Sequence, residues 1–180
     1  MDVVVERHEN YIKQSYRNRC VIYSANGLLS LVVPVAKSIN PKTPVSEVRI
    51  SYDMPWQKQH FKAIESAYRR SPFYEYYIDE LLTFFDCRHY YLYELNMNIL
   101  QTLCKLVKIP LRIKESVSYI KTADDGVIDL RNAIHPKKEQ NQSDMQRRYN
   151  QVFADVWGFK PNLSILDLLF NTGPEAKSYL

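Results

Sequence analysis

Glycine is scarce in this chain. Four occur in 180 residues (Gly27, Gly126, Gly158 and Gly173), and none falls in a GxGxxG or GxxxxGKS/T context. Those loops need glycine where backbone approaches a phosphate closely, so nucleotide-phosphate loops of these types are excluded. Cysteine is equally sparse. Cys20, Cys87 and Cys104 are odd in number, far apart and without a CxxC pair, which argues against a zinc site and a disulfide scaffold alike. Thiols used this way suit a reducing cytoplasm, and Cys20 and Cys104 read as small buried hydrophobes. The four histidines (His8, His60, His89, His135) lack metal-ligand spacing, so neither a metal nor a cofactor is expected. HExxH, GxSxG and kinase motifs are missing. No apolar run reaches the length of a membrane span, and the first residues lack the basic and apolar regions of a signal peptide. Nucleic-acid-binding motifs are missing too. The net charge of +4, from 24 basic and 20 acidic residues, suits an anionic small molecule without requiring one.

Tyrosine is abundant, at 14 residues. Its apolar ring and polar tip fill core edges, and they also line amphipathic pockets. At this length the chain reads as a single domain over residues 1–180, able to bury roughly 70% of the surface its unfolded state exposes.

The chain is organised around His8–Val35. Cys20–Tyr23 and Leu29–Val33 are β-rich runs, and Asn26-Gly27 between them predicts a hairpin with a type I′ turn. A polar lead-in of Tyr11, Lys13, Tyr16, Arg17, Asn18 and Arg19 feeds this hairpin. Arginine forks bind carboxylate or phosphate, and asparagine and tyrosine read amides and hydroxyls. If residues 15–19 are extended, Tyr16 and Asn18 share one face while Arg17 and Arg19 share the other. Two readings stand: a ligand site, or a structural network pairing the basic groups with Glu6, Glu9 or Glu65.

Other elements follow from pattern. Asp2–Glu6 reads as a buried strand with an apolar middle, Val45–Ser51 as a strand, and Leu111–Lys114 as another. Pro55–Ser71 reads as a helix capped by Asp53, with Trp56, His60, Ile64 and Tyr68 on one stripe. Lys58, Lys62, Glu65 and Arg69 form its solvated row. His60 therefore faces inward, where a histidine serves either as a satisfied core residue or as a catalytic base. Phe73–Phe85 predicts a second helix, with Phe73, Tyr76/Tyr77, Glu80/Leu81 and Phe84 near one face. Tyr90–Lys108 predicts a third, with a Leu92, Leu95, Ile99, Leu103 and Leu106 stripe flanked by Asn96. Asn96 is then either half-buried and hydrogen-bonded or part of a pocket wall. Residues 121–148 are polar and unpatterned, which predicts a long mobile loop with anchored islands at Asp129–Arg131 and Pro136-Lys137. Tyr149–Phe159 is aromatic and should pack back on the core. Asn162–Phe170 predicts a last helix with a Ser164/Asp167 capping box, stopped by Asn171, Gly173 and Pro174. The expected fold class is α+β: a hairpin-containing mixed sheet packed by four to five helices.

Several of these stretches together resemble one family. They are HENYIKQSYRNRC, LSLVVPV, WQKQHFKAIESAYRRSPFYEYY, the Asp129-Leu130-Arg131 island, YNQVF and PNLSILDLLFNTGPEAKSYL. The chain is similar to the WbqC-like family of bacterial proteins from Glu6 to Leu180. Lys13, Tyr16, Asn18 and Arg19 match its lysine, aromatic and Asn-Arg pair. Trp56 and His60 match its Trp-x-x-x-His helix, and Asn162, Ser164 and Asp167 match its closing motif. Family members usually open with a further strand and a Tyr/Pro-rich turn, which this sequence lacks.

The resemblance implies a role in surface-polysaccharide synthesis: transfer of glycine or another acyl or aminoacyl group to an amino sugar. Under that expectation His60 is the base and Lys13 its catalytic companion. Tyr16, Arg17, Asn18, Arg19, Glu65, Tyr68 and Asn162 are substrate-binding, and the ligand is an amino sugar or sugar nucleotide. The alternative is a non-catalytic ligand-binding or scaffold protein of the same pathway.

Overall fold

A computed structural model describes residues 2–37, 40, 42–131, 133–136 and 147–180. The fold is α+β. Among the described residues, four strands form two two-stranded sheets. In the first, β1 (Asp2–Val5) pairs in parallel with β4 (Arg112–Glu115). In the second, β2 (Arg19–Ser24) pairs antiparallel with β3 (Gly27–Val32). The helices are α1 (Trp56–Tyr68), α2 (Tyr74–Asp86), α3 (Leu92–Leu106), the single turn α4 (Ala154–Trp157) and α5 (Ile165–Thr172), followed by a 3-10 segment at Gly173–Tyr179.

The hairpin forms where expected, with a different turn. Ser24 pairs with Gly27, which leaves Ala25 and Asn26 at the tip. Of residues 25–27 only Gly27 has a positive φ, at 97°. A type I′ turn would force Ala25 into the left-handed region, which costs an alanine energy; placing the left-handed residue at Gly27 avoids that. Ser24 Oγ donates to the Gly27 carbonyl at 2.8 Å and closes the turn.

Apolar spacing explains the packing. One core gathers Tyr11, Val45, Val48, Trp56, Leu92 and Leu95. A second joins the hairpin to the helices through Ile22, Leu31, Ile64, Tyr68, Ile78, Leu81 and Phe170. A third ties α5 and the 3-10 segment to Val107 and Tyr149. The 149–159 stretch does pack back: Phe153 meets the Tyr23 ring edge-on at 5.7 Å, and Trp157 Nε1 donates to the Ala25 carbonyl at 3.0 Å.

Several expectations are corrected. Val45–Glu47 is a 3-10 turn, not a strand; Val45 and Val48, both buried, lie three residues apart, the spacing of a helical turn. Strand β1 is half exposed rather than buried, with Val4 at 53%, because its sheet has only two strands. No side chain caps α1, so Asp53 does not serve there. The inward face of α2 carries Tyr74, Ile78 and Leu81, while Tyr76 is 76% exposed.

Ser164 caps α5 as expected, accepting from Leu166 N. The capping box is not closed: Ser164 N donates to the Val21 carbonyl, and the Asp167 side chain is buried elsewhere. Within 121–148 the described residues carry no helix or strand; residues 132 and 137–146, including Lys137 of one expected island, lie outside the described residues. The other island is anchored: Arg131 reaches the Ile120 carbonyl and lies 4.0 Å from the Glu6 carboxylate.

Candidate functional site

The polar lead-in does not run extended. Gln14 takes a positive φ of 59°, and Ser15 Oγ donates to the Ile12 carbonyl at 2.7 Å. The resulting turns bring Tyr16, Arg17, Asn18 and Arg19 to one wall rather than to two faces. Asn18 then continues the hairpin ladder. Its carbonyl accepts from Val33 N at 2.8 Å, and its Nδ2 donates to the Val33 carbonyl at 3.0 Å. Arg17 Nε donates to Glu9 at 2.9 Å, so the network reading holds for that residue. Asn96, on α3, donates from Nδ2 to the Arg17 carbonyl at 2.7 Å.

Opposite this wall stands α1. Between them lies a cavity of about 250 Å³, lined by Tyr16–Cys20, Trp56, His60, Asn96, Ser164 and a largely aliphatic and aromatic remainder including Leu31, Ile64, Leu95 and Leu103. Trp56 and His60, four residues apart, present neighbouring rings with centroids 5.2 Å apart. Burial holds the His60 imidazole below its ordinary value, opposed by the Val32 carbonyl beside it. That carbonyl selects an N–H on one ring nitrogen and leaves the other as an acceptor. Burial also pushes the Cys20 thiol up, opposed by the Ser164 hydroxyl.

Three residues of this lining each carry a buried polar atom without a hydrogen-bond partner: Asn18 Oδ1, Arg19 Nε and Trp56 Nε1. Asn18 is 7% exposed and Trp56 4%. Arg19 also makes no ion pair among the described residues. Buried polar groups normally find partners; these three atoms are shielded from water, as are unmatched atoms of Arg7, Ser71, His89, Tyr93 and Asp167 outside the lining.

Other expected site residues sit elsewhere. Lys13 is exposed in the turn and does not line the cavity. Glu65 faces outward, 4.0 Å from Arg69. Asn162 is exposed with a positive φ. Tyr68 is fully buried behind the cavity, its hydroxyl accepting from Tyr23 N at 3.0 Å and facing Asp167. Asp167 is itself fully buried and accepts from the Tyr149 hydroxyl at 2.7 Å; burial pushes its carboxyl up, opposed by hydrogen bonds from Tyr149, Tyr68 and Gln151.

The site reading overlooked Trp56 and Ser164 as cavity residues. Trp56 could have been found from its place four residues before His60 on the inward stripe, and Ser164 from its capping signal. Cys20 was read as a hydrophobe and lines the cavity as well.

A second, more open hollow of about 540 Å³ lies outside, lined among others by Tyr52, Asp53, Lys58, Asp86 and Arg88, and it shares Trp56 and Phe85 with the inner cavity. Among the described residues no group of three or more His, Cys, Asp or Glu could hold a metal ion. No helix there is long and apolar enough to cross a membrane.

The WbqC-like protein family model matches residues 2–142, which include the cavity's lead-in, hairpin, α1 and α3. The chain belongs to the WbqC-like protein family. It is also 29% identical over 194 residues to the uncharacterized protein Rv1507c of Mycobacterium tuberculosis (strain ATCC 25618 / H37Rv), across 94% of this chain and 83% of that protein. No solved structure matches.

Proposed function

We propose that this WbqC-like protein transfers an acyl or aminoacyl group, such as glycyl, to the amine of an amino sugar for surface-polysaccharide synthesis, with the chemistry at the Asn18–Trp56–His60 cavity. The observation that carries the reading is the meeting of His60 with Asn18, Arg19 and Trp56 around one hollow. The amine nitrogen attacks the acyl carbon of an activated donor, a thioester or acyl phosphate. A C–N bond forms and the carbonyl electrons move to oxygen. Collapse breaks the C–S or C–O bond, and the donor's thiolate or phosphate leaves. The amine's proton passes to the free nitrogen of His60, which its depressed basicity keeps neutral and ready to accept near neutral pH. Arg19 steadies the oxyanion.

At about 250 Å³ the cavity falls just below the roughly 300–1,000 Å³ of small-molecule sites, which suits the reacting end of a sugar nucleotide. The outer hollow, sharing Trp56 and Phe85, lies where the remainder would extend.

The largely apolar lining favours a second reading, a non-catalytic module that binds a small ligand. Incubation with amino-sugar nucleotides and activated glycine, followed by mass measurement, separates the two. A mass gain equal to the acyl group, lost in His60→Gln, supports transfer. Saturable binding without any mass gain supports the module.

A further inference from the structure

We infer that the free edge of β3 is an interface between two copies of this chain: Leu28–Ser30 pairs antiparallel with the same residues of a second copy about a two-fold axis at Leu29, joining two hairpins into one four-stranded sheet. The starting point is where the hairpin's backbone groups face. Val33 N donates to the Asn18 carbonyl, and the ladder continues through the partners Cys20–Leu31 and Ile22–Leu29. In an antiparallel ladder such bonded pairs alternate with pairs whose N–H and C=O face outward. Arg19, Val21 and Tyr23 of β2 and Leu28, Ser30 and Val32 of β3 therefore turn their backbone groups away from the hairpin. Three contacts agree with this. The Val21 carbonyl accepts from Ser164 N at 2.7 Å, Tyr23 N donates to the Tyr68 hydroxyl at 3.0 Å, and the Val32 carbonyl accepts from the His60 ring.

The β2 edge is thus engaged by Ser164 and Tyr68, while most of the β3 edge is open. Among the described residues, nothing in the protein bonds the N–H or C=O of Leu28 or of Ser30. Leu28, Leu29 and Ser30 are all exposed. Proteins usually guard an open edge with charge, proline or a bulge. Here no charged residue occurs from Cys20 to Ala36, β3 holds no proline, and its register is unbroken. An edge left in this state is a template for another strand.

The free stretch selects its occupant. It offers two donors and two acceptors, and it is bounded by the turn at Gly27 on one side and by His60 at Val32 on the other. Pairing two such edges about Leu29 sets Leu28 against Ser30 of the second copy, and Ser30 against Leu28 of the second copy. Every free group is then used, and the occupied Val32 carbonyl is left out. A longer foreign strand would run on past Val32 and meet His60. The second copy leaves the ladder at that point, because its own Ala25-Asn26 tip turns back toward its own β2. Leu29, 37% exposed, meets its counterpart at the close spacing of a non-bonded pair. Leu28, 60% exposed, lies diagonal to Val32 of the second copy, within reach of a long side chain. No like charges are brought together, since neither edge carries one. So short a seam lies below the roughly 1,200–2,000 Å² of stable complexes, and the dimer is accordingly weak, with a Kd on the order of 10–100 µM.

The test is analytical ultracentrifugation of the full chain from about 1 to about 500 µM, a range that spans this Kd. The mass should rise from 21.3 kDa toward twice that value. Ser30→Pro removes an N–H that the hairpin itself does not use, and Leu28→Lys places a cation on both edges. Each should stay monomeric throughout the range while circular dichroism stays native. Hydrogen exchange on the unaltered protein reads the register without any variant: the amides of Leu28 and Ser30 should slow about fivefold from the lowest to the highest concentration, and that of Leu31, already bonded within the hairpin, should not change. A mass that stays at 21.3 kDa overturns the inference, including the case in which the monomer takes up an extended peptide along β3. So does a dimer that forms without slowing those two amides, or one that persists in folded Ser30→Pro and Leu28→Lys.

Discussion

Asn96 Nδ2 donates a 2.7 Å hydrogen bond to the carbonyl of Arg17, 79 residues earlier in the chain. One polar side chain flanking the α3 stripe thereby pins the turn that forms a wall of the cavity. Asn96→Ala should destabilise the fold by about 1–2 kcal/mol, since a partly buried carbonyl loses its donor. Denaturant unfolding checks this, and ligand affinity should fall further than stability alone explains, because the wall loses its anchor.

His60 supplies a pH signature. Its imidazole lies below the ordinary value of 6.5 because burial disfavours the charged form. The acid limb of kcat/KM for acyl transfer should therefore fall below that value, and His60→Gln should lower kcat by about 10²–10⁴-fold. Stability follows the same sign. The unfolded chain binds this proton first, so the contribution is present above 6.5 and is lost as pH falls through the folded value. Melting temperatures of the two proteins should converge on acidification.

Asp167 behaves oppositely. It is fully buried, and burial raises its carboxyl above the ordinary 3.8. The fold keeps this proton after the unfolded chain has released it. Stability therefore falls as pH rises from 3.8 through the folded value. Asp167→Asn retains an acceptor for Tyr149 and removes the titration. Its melting temperature should vary less with pH across that window than the unaltered protein's, measured by calorimetry.

Gly173 ends α5 with a φ of 56°, and a Cβ there would lie 2.5 Å from the Phe73 ring. Gly173→Ala combines a left-handed backbone with ring overlap and should cost about 2–4 kcal/mol, read by urea unfolding. Adding Phe73→Leu should recover part of the loss by removing the ring.

Much of this architecture was legible. The alternating runs around Gly27 marked the hairpin, and the Leu92–Leu106 stripe marked α3, because periodicity reports burial directly. The α2 face was misjudged because tyrosine and phenylalanine occupy nearly every position, so no side reads as polar. Val45 and Val48 looked like strand residues because a single helical turn is too short to show its period. At the site, Tyr16–Arg19 and His60 could be paired from residue type alone. Lys13 could not be excluded, because the positive φ at Gln14 that turns it outward has no strong sequence mark. The unmatched Nε1 of Trp56 was hidden for another reason: whether an N–H is matched depends on every neighbour, and packing decides that.

The pairing of β1 with β4 has a kinetic consequence. Arg7 N reaches Ser116 Oγ across 109 residues, and the two strands beside this bond run in the same direction. Closing so long a span is entropically costly and is rewarded only once both ends are placed. Assembly therefore begins with the hairpin and helices, and the opening segment zips on last. In a hydrogen-exchange pulse during refolding, the amides of Val3–Val5 should be the slowest of the strand amides to gain protection.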